Sequence, residues 1–123
     1  MNIAISVTGN GSEPFFDPRF GRAAAFCLVN TDTGDRKVHE NPALSAAGGA
    51  GVKAAQFVAS LGAQAVISGA YGPNAFRTLA SAGIKMHLVP GSEVLSVSNV
   101  LAQFDAGKLD RAESATHAGH HGS

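Results

Sequence analysis

GAGVKAAQFVASLGAQAVISG, residues 49–69, decides how this chain folds, because its hydrophobic period changes halfway along. Val52, Ala55, Val58 and Ala59 share one face of a helix, while Lys53, Gln56 and Ser60 fall elsewhere. Residues 51–61 are therefore predicted to be helical and to stop at Gly62. Ala65-Val66-Ile67 then runs without a polar break, the pattern of a strand buried on both faces. A helix feeding a doubly buried strand is half of a parallel crossover.

Downstream the unit repeats. Ala75, Phe76, Leu79 and Ala80 mark an inward helical face capped by Gly83, and 84–89 reads as another strand. Val94, Val97, Leu101 and Phe104 set a third helical face, with Gly107 as its stop. Residues 108–123 lose all periodicity and are expected to form a disordered tail containing His117, His120 and His121. Upstream the signals are of strands. Ile3, Ile5 and Val7 form a β-branched run that ends at Gly9-Asn10-Gly11; residues 24–30 read as a second strand. Thr31 to Asp35 is a hairpin turn, and Lys37 to Glu40 alternates like an exposed edge. Between the first two strands lies a long loop, residues 9–22, whose three phenylalanines (15, 16 and 20) argue for burial rather than disorder.

The order is βββαβαβα: an antiparallel meander followed by parallel crossovers. It predicts an α/β three-layer sandwich over residues 1–107, with a mixed five-stranded sheet in the order 3-2-1-4-5. The first and fourth strands lie together where the connections diverge, and ligands of open α/β sheets bind at that crevice.

Composition narrows the possible functions. In 123 residues, 9 Lys+Arg balance 9 Asp+Glu, so neither a nucleic-acid nor an anionic-membrane surface is expected. No apolar run reaches the length of about 18 residues needed to span a bilayer, and the N-terminus lacks the basic start of a signal peptide. A cytoplasmic location is expected. One cysteine excludes a disulfide framework or a site held by several thiolates. Cys27 sits mid-strand and reads as a small buried hydrophobe. Glycine is the excess: 15 residues, against an average near 7%.

Many of those glycines fall at the crevice. Gly48, Gly49 and Gly51 open the first helix; Gly69 and Gly72 bracket Tyr71 and precede Asn74 at the second. Helix N-termini favour anions, and the long loop adds Arg19, Phe20 and Arg22. Two readings fit. Either these residues make an anion site, or the glycines serve tight turns and the arginines pair with Asp17 or Glu13.

Enzyme motifs are missing. There is no P-loop, no G-x-G-x-x-G after the first strand and no nucleophile elbow. The meander-plus-crossover order is also that of ribonuclease H, but a two-metal nuclease needs clustered carboxylates beginning in the first strand, and neither that strand nor residues 64–70 or 84–89 carry one. His39 and His87 stand alone on strands. His117, His120 and His121 have a spacing that could grip a divalent metal, or could bind one adventitiously.

Several segments, taken in order, carry a resemblance. They are Met1 to Val7, Phe20-Gly21-Arg22-Ala23, Glu40-Asn41-Pro42, the block at 49–69, Gly72-Pro73-Asn74-Ala75-Phe76 and Ala82-Gly83-Ile84-Lys85. Together they resemble the dinitrogenase iron–molybdenum cofactor biosynthesis family over about residues 1–107. That family includes nitrogenase cofactor carriers and a small protein holding a molybdenum–copper sulfide cluster. The resemblance implies a ribonuclease H-like fold and non-enzymatic binding of an anionic metal–sulfur cluster, of molybdenum–iron or molybdenum–copper type, or of its precursor. Cluster donor and acceptor proteins are then the implied partners. Such clusters bring their own sulfide ligands, so N–H donors, arginine and an apolar enclosure suit them without many cysteines. Two other classes fit the same scaffold. One is a protein–protein or regulatory module with no cluster, docking through the loop phenylalanines; the other is a phosphate or nucleotide binder.

Overall fold

The computed structural model describes residues 1–9, 14–91 and 93–113. Along the chain the strands are β1 (Asn2–Val7), β2 (Ala25–Asn30) and β3 (Arg36–Glu40), followed by a short 3₁₀ turn at Pro42–Ser45. Then come α1 (Ala50–Ser60), β4 (Ala65–Ser68), α2 (Pro73–Ser81), β5 (Lys85–Leu88), α3 (Val97–Asp105) and β6 (Asp110–Arg111). The sheet is mixed, in the order β3-β2-β1-β4-β5-β6. β1 runs antiparallel to β2 and parallel to β4, which in turn runs parallel to β5.

The two sides of each central strand face different helices. Ile3, Ile5, Val7 and Ile67 pack with Val97 and Val100 of α3. Ala4, Phe26, Val66 and Met86 pack with Ala54, Val58 and Leu79 of α1 and α2. β4 is apolar throughout its first three residues because it is central and covered on both sides. Small residues let α1 and α2 approach closely: a Cβ on Gly51 would lie 3.2 Å from the Ala75 Cβ. Gly62, Gly83 and Gly107 follow the three helices at φ of 82°, 74° and 71°, the left-handed conformation that stops a helix.

Four expectations are corrected. The sheet has a sixth strand: β6 pairs antiparallel with β5, Ala112 N donates to Met86 O at 2.9 Å, and Ala112 is buried. Residues 108–113, expected in the tail, thus belong to the fold; two residues are too few to show a period of their own. Residues 114–123, with His117, His120 and His121, lie outside the described residues. Val94 does not join the third helical face but is 79% exposed ahead of the helix. Ser96 sets that start, its side chain accepting from Asn99 N, and Val100 takes the buried position. Ala80 is exposed, since α2 buries Ala75 and Leu79. No helix among the described residues is long and apolar enough to cross a membrane.

His87 in β5 meets Phe104 of α3 edge-on, with ring centroids 5.0 Å apart. Burial, then the positive charges of Arg111 and Lys85, push its pKa below the ordinary 6.5. The unfolded chain therefore takes up the His87 proton at higher pH than the folded one does. Stability from this group is complete above pH 6.5 and is lost as pH falls from there to the folded value. The thermal midpoint should fall over that window, and His87→Gln should flatten the fall. An equal slope in the variant would show that His87 is not the group responsible.

Candidate anion site at the carboxyl ends of β1 and β4

β1 leads leftward to β2 through the long loop and β4 leads rightward to α2, so their carboxyl ends form the divergence point of the sheet. Residues 14–23 run across it and are pinned there by buried polar contacts. Asp17 N donates to Ser6 O at 2.9 Å, and Gly69 N donates to Pro18 O at 3.0 Å. The Ser6 hydroxyl donates to the Asp17 carbonyl at 2.6 Å and lies 2.8 Å from Ser68 Oγ. Ser6 and Ser68 are buried at the ends of adjacent strands, where their hydroxyls tie the loop to the sheet. The contact leaves no room for a side chain at residue 69. A Cβ there would lie 2.5 Å from Pro18 Cβ and 2.9 Å from Pro18 Cα.

The two arginines have different roles. Arg19 closes on Asp17, with Nε 3.1 Å from Oδ1 and Nη2 3.0 Å from Oδ2; its main-chain N also donates to Oδ1. Asp17 is 3% exposed, and its hydrogen bond and charge raise the Arg19 pKa further. Of the pairings open from sequence, the one with Asp17 is present, and Glu13 lies outside the described residues. Arg22 is exposed and makes no hydrogen bond or ion pair with another described residue.

Phe20 and Tyr71 lie beneath the loop rather than on its surface. Phe20 is buried against Phe26 and Tyr71, at centroid distances of 5.2 and 5.5 Å. The Tyr71 hydroxyl donates to His87 O at 2.8 Å, and burial drives its pKa upward. Phe16 is buried too, so of the three loop phenylalanines only Phe15 offers a broad apolar surface, at 48% exposed.

Beyond Phe20 the loop reaches both helix starts. A Cβ on Gly21 would lie 3.2 Å from Gly51 Cα, and Gly51 packs in turn on Ala75. Gly49 is the N-cap of α1 at φ 71°, and Gly72 is the N-cap of α2. Neither helix has a side-chain cap or an acidic residue in its first turn, so their leading N–H groups keep their partial positive charge. A Cβ on Gly48, Gly49 or Gly72 would meet nothing within 4 Å. Asn74 is exposed, with its side-chain Oδ1 3.5 Å from Arg77 Nη2. The structure thus brings the loop, the α1 start and the α2 start together, while Gly51 and Gly69 are explained by close packing.

Sequence reasoning missed Ser6, Ser68 and Asn41. Their signal was a polar residue closing an apolar strand, and an Asn-Pro step after an edge strand. A cleft of ≈ 320 Å³ lies beside the loop, lined by Gly9, Ala24, Ala25, Glu40, Asn41 and Leu44. Glu40 makes it a poor place for an anion, and none of the ten predicted site residues lines it. No group of three or more His, Cys, Asp or Glu among the described residues could hold a metal ion. Cys27 is buried mid-strand on the α3 side, with its thiol pKa raised by burial, and takes no part in the site.

Comparison with known proteins agrees with this architecture. The apo form of the orange protein from Desulfovibrio gigas superposes with a TM-score of 0.87 at 34% identity, covering 94% of this chain and 96% of that one. A Thermotoga protein proposed to be NifB gives 0.80 at 31% identity, covering 96% and 98%. An uncharacterized protein of Methanocaldococcus jannaschii is 28% identical over 116 residues, which is 92% of each chain. The family model described as dinitrogenase iron-molybdenum cofactor matches residues 1–107, and the chain belongs to that family.

Proposed function

We propose that this chain binds and carries an anionic metal–sulfur cluster, or its precursor, without transforming it. The observation that supports this most is the meeting of two uncapped helix starts with Arg22 at the divergence point of the sheet. Backbone N–H groups at Gly49, Gly51 and Asn74, with Gly48 and Gly72 giving close access, would face the cargo. Arg22 would supply the charge-assisted contact. Arg19 would hold the loop through Asp17, and Phe20 and Tyr71 would form its floor, with Gly69 letting the loop sit down on β4. The donor set suits a cargo that arrives with sulfide already on its metals, since it offers positive dipoles and no cluster of thiolates. The molybdenum–iron–sulfur and molybdenum–copper–sulfur types implied by the family resemblance are anions of this kind. On this reading the ribonuclease H-like scaffold serves for binding, and transfer uses contacts that can be released without breaking a protein–metal bond.

The experiment is an anaerobic titration of the full chain with tetrathiomolybdate, with and without copper, following charge-transfer absorption. To remove the tail as a copper ligand, the same titration is run on a chain carrying His117→Ala, His120→Ala and His121→Ala. Stoichiometric binding in both chains is expected. Binding that vanishes with the three histidines would refute the crevice as the site.

A further inference from the structure

We propose that Asn41 is a positioning residue for Arg22. Its side-chain amide donates from one Nδ2 to two carbonyls, Gly21 O at 3.2 Å and Ala23 O at 2.9 Å. These are the carbonyls on either side of Arg22, so a single side chain straddles the residue whose charge has no partner among the described residues. Asn41 is 4% exposed, and its remaining groups are engaged as well. Oδ1 accepts from Ala43 N at 2.9 Å, starting the 3₁₀ turn, and the main-chain N donates to Ala24 O at 3.0 Å. Pro42 holds Asn41 in the extended conformation, φ −80° and ψ 111°, that aims the side chain back at the loop.

The consequence concerns binding. Arg22 is exposed and bonds to no other described side chain, so its backbone fixes where the long side chain begins. On one side, Gly21 rests on the start of α1; on the other, Ala23 is buried. Asn41 clamps both flanks to one point, so the guanidinium starts from a fixed root beside the helix N–H groups. Fixing that root in advance lowers the ordering cost of binding. Losing it leaves the competent loop arrangement only fractionally populated, and the apparent affinity falls by that fraction.

The test rests on the carrier reading and uses tetrathiomolybdate as the probe. Asn41→Ser keeps an oxygen able to cap Ala43 N but cannot reach Gly21 and Ala23. Asn41→Asp keeps the cap and turns an oxygen toward the two carbonyls. Should the buried charge of Asn41→Asp prevent folding, Asn41→Ser carries the test alone. Each folded variant is expected to bind about tenfold more weakly, as for a loop that is competent about a tenth of the time. In an Arg22→Ala background, the same substitution should change affinity by less than about twofold, because its effect passes through Arg22. An undiminished tenfold loss in that background would mark a general structural role and overturn the assignment. Wild-type affinity in Asn41→Ser, with Arg22→Ala weakened, would overturn the assignment alone. No binding by the wild-type chain would overturn the carrier reading and the assignment with it.

Discussion

Gly69→Ala is expected to lower the thermal midpoint by about 10 °C and to loosen the loop over the site. The added Cβ would lie 2.5 Å from Pro18 Cβ and 2.9 Å from Pro18 Cα, so the obstacle includes backbone and cannot swing aside. Pro18 itself cannot retreat easily. Its carbonyl accepts from Gly69 N, and the preceding Asp17 is held by Ser6 through both its N–H and its carbonyl. Overpacking of this kind costs about 3 kcal/mol at the upper end of its usual range. For a domain of this size, each kcal/mol moves the midpoint by about 4 °C. Gly72→Ala is the control, because its Cβ meets nothing within 4 Å and its φ is −68°. It should leave the midpoint nearly unchanged. Equal midpoints for the two variants, measured by calorimetry, would show that the loop does not bear on residue 69 as described.

Arg22→Glu should weaken tetrathiomolybdate binding by at least about a hundredfold while leaving the midpoint within a degree or two. A hydrogen bond to a charged group is worth about 1.5–3 kcal/mol, or roughly 10–150-fold in affinity. Reversal adds repulsion against the cargo and breaks no ion pair among the described residues. The corresponding change at Arg19 would be harder to interpret, because it would also set a carboxylate beside buried Asp17. Wild-type affinity in the Arg22→Glu variant would place the anion elsewhere.

The sheet order was legible because its signals are local. The helix face at Val52–Ala59, the unbroken Ala65-Val66-Ile67 and the helix-stopping glycines each read within a dozen residues. β6 was not legible: two polar residues pair with β5 only because α3 turns back at Gly107 and leaves an open edge. The loop phenylalanines announced burial, correctly for Phe16 and Phe20, but residue type could not tell that Phe15 would stay exposed. For the site, sequence pointed to segments that meet in the fold, but not to which side chains pair there. Arg19 and Arg22 look alike in sequence and are both exposed, and only the 3.0–3.1 Å contacts with Asp17 separate a clamp from a charge with no described partner. Gly51 and Gly69 also make close contacts with Ala75 and Pro18, which depend on the distance between elements far apart in sequence. Ser6, Ser68 and Asn41 act through main-chain partners, which no residue pattern names.

The most direct test of the account follows amide chemical shifts of the full chain during the anaerobic tetrathiomolybdate titration. Saturable changes at Gly21, Arg22, Gly49, Gly51 and Asn74, reached at one equivalent, are predicted. Changes confined to the opposite end of the sheet, around Arg36 and Asp105, or no saturable change at all, would contradict an anion site at the carboxyl ends of β1 and β4.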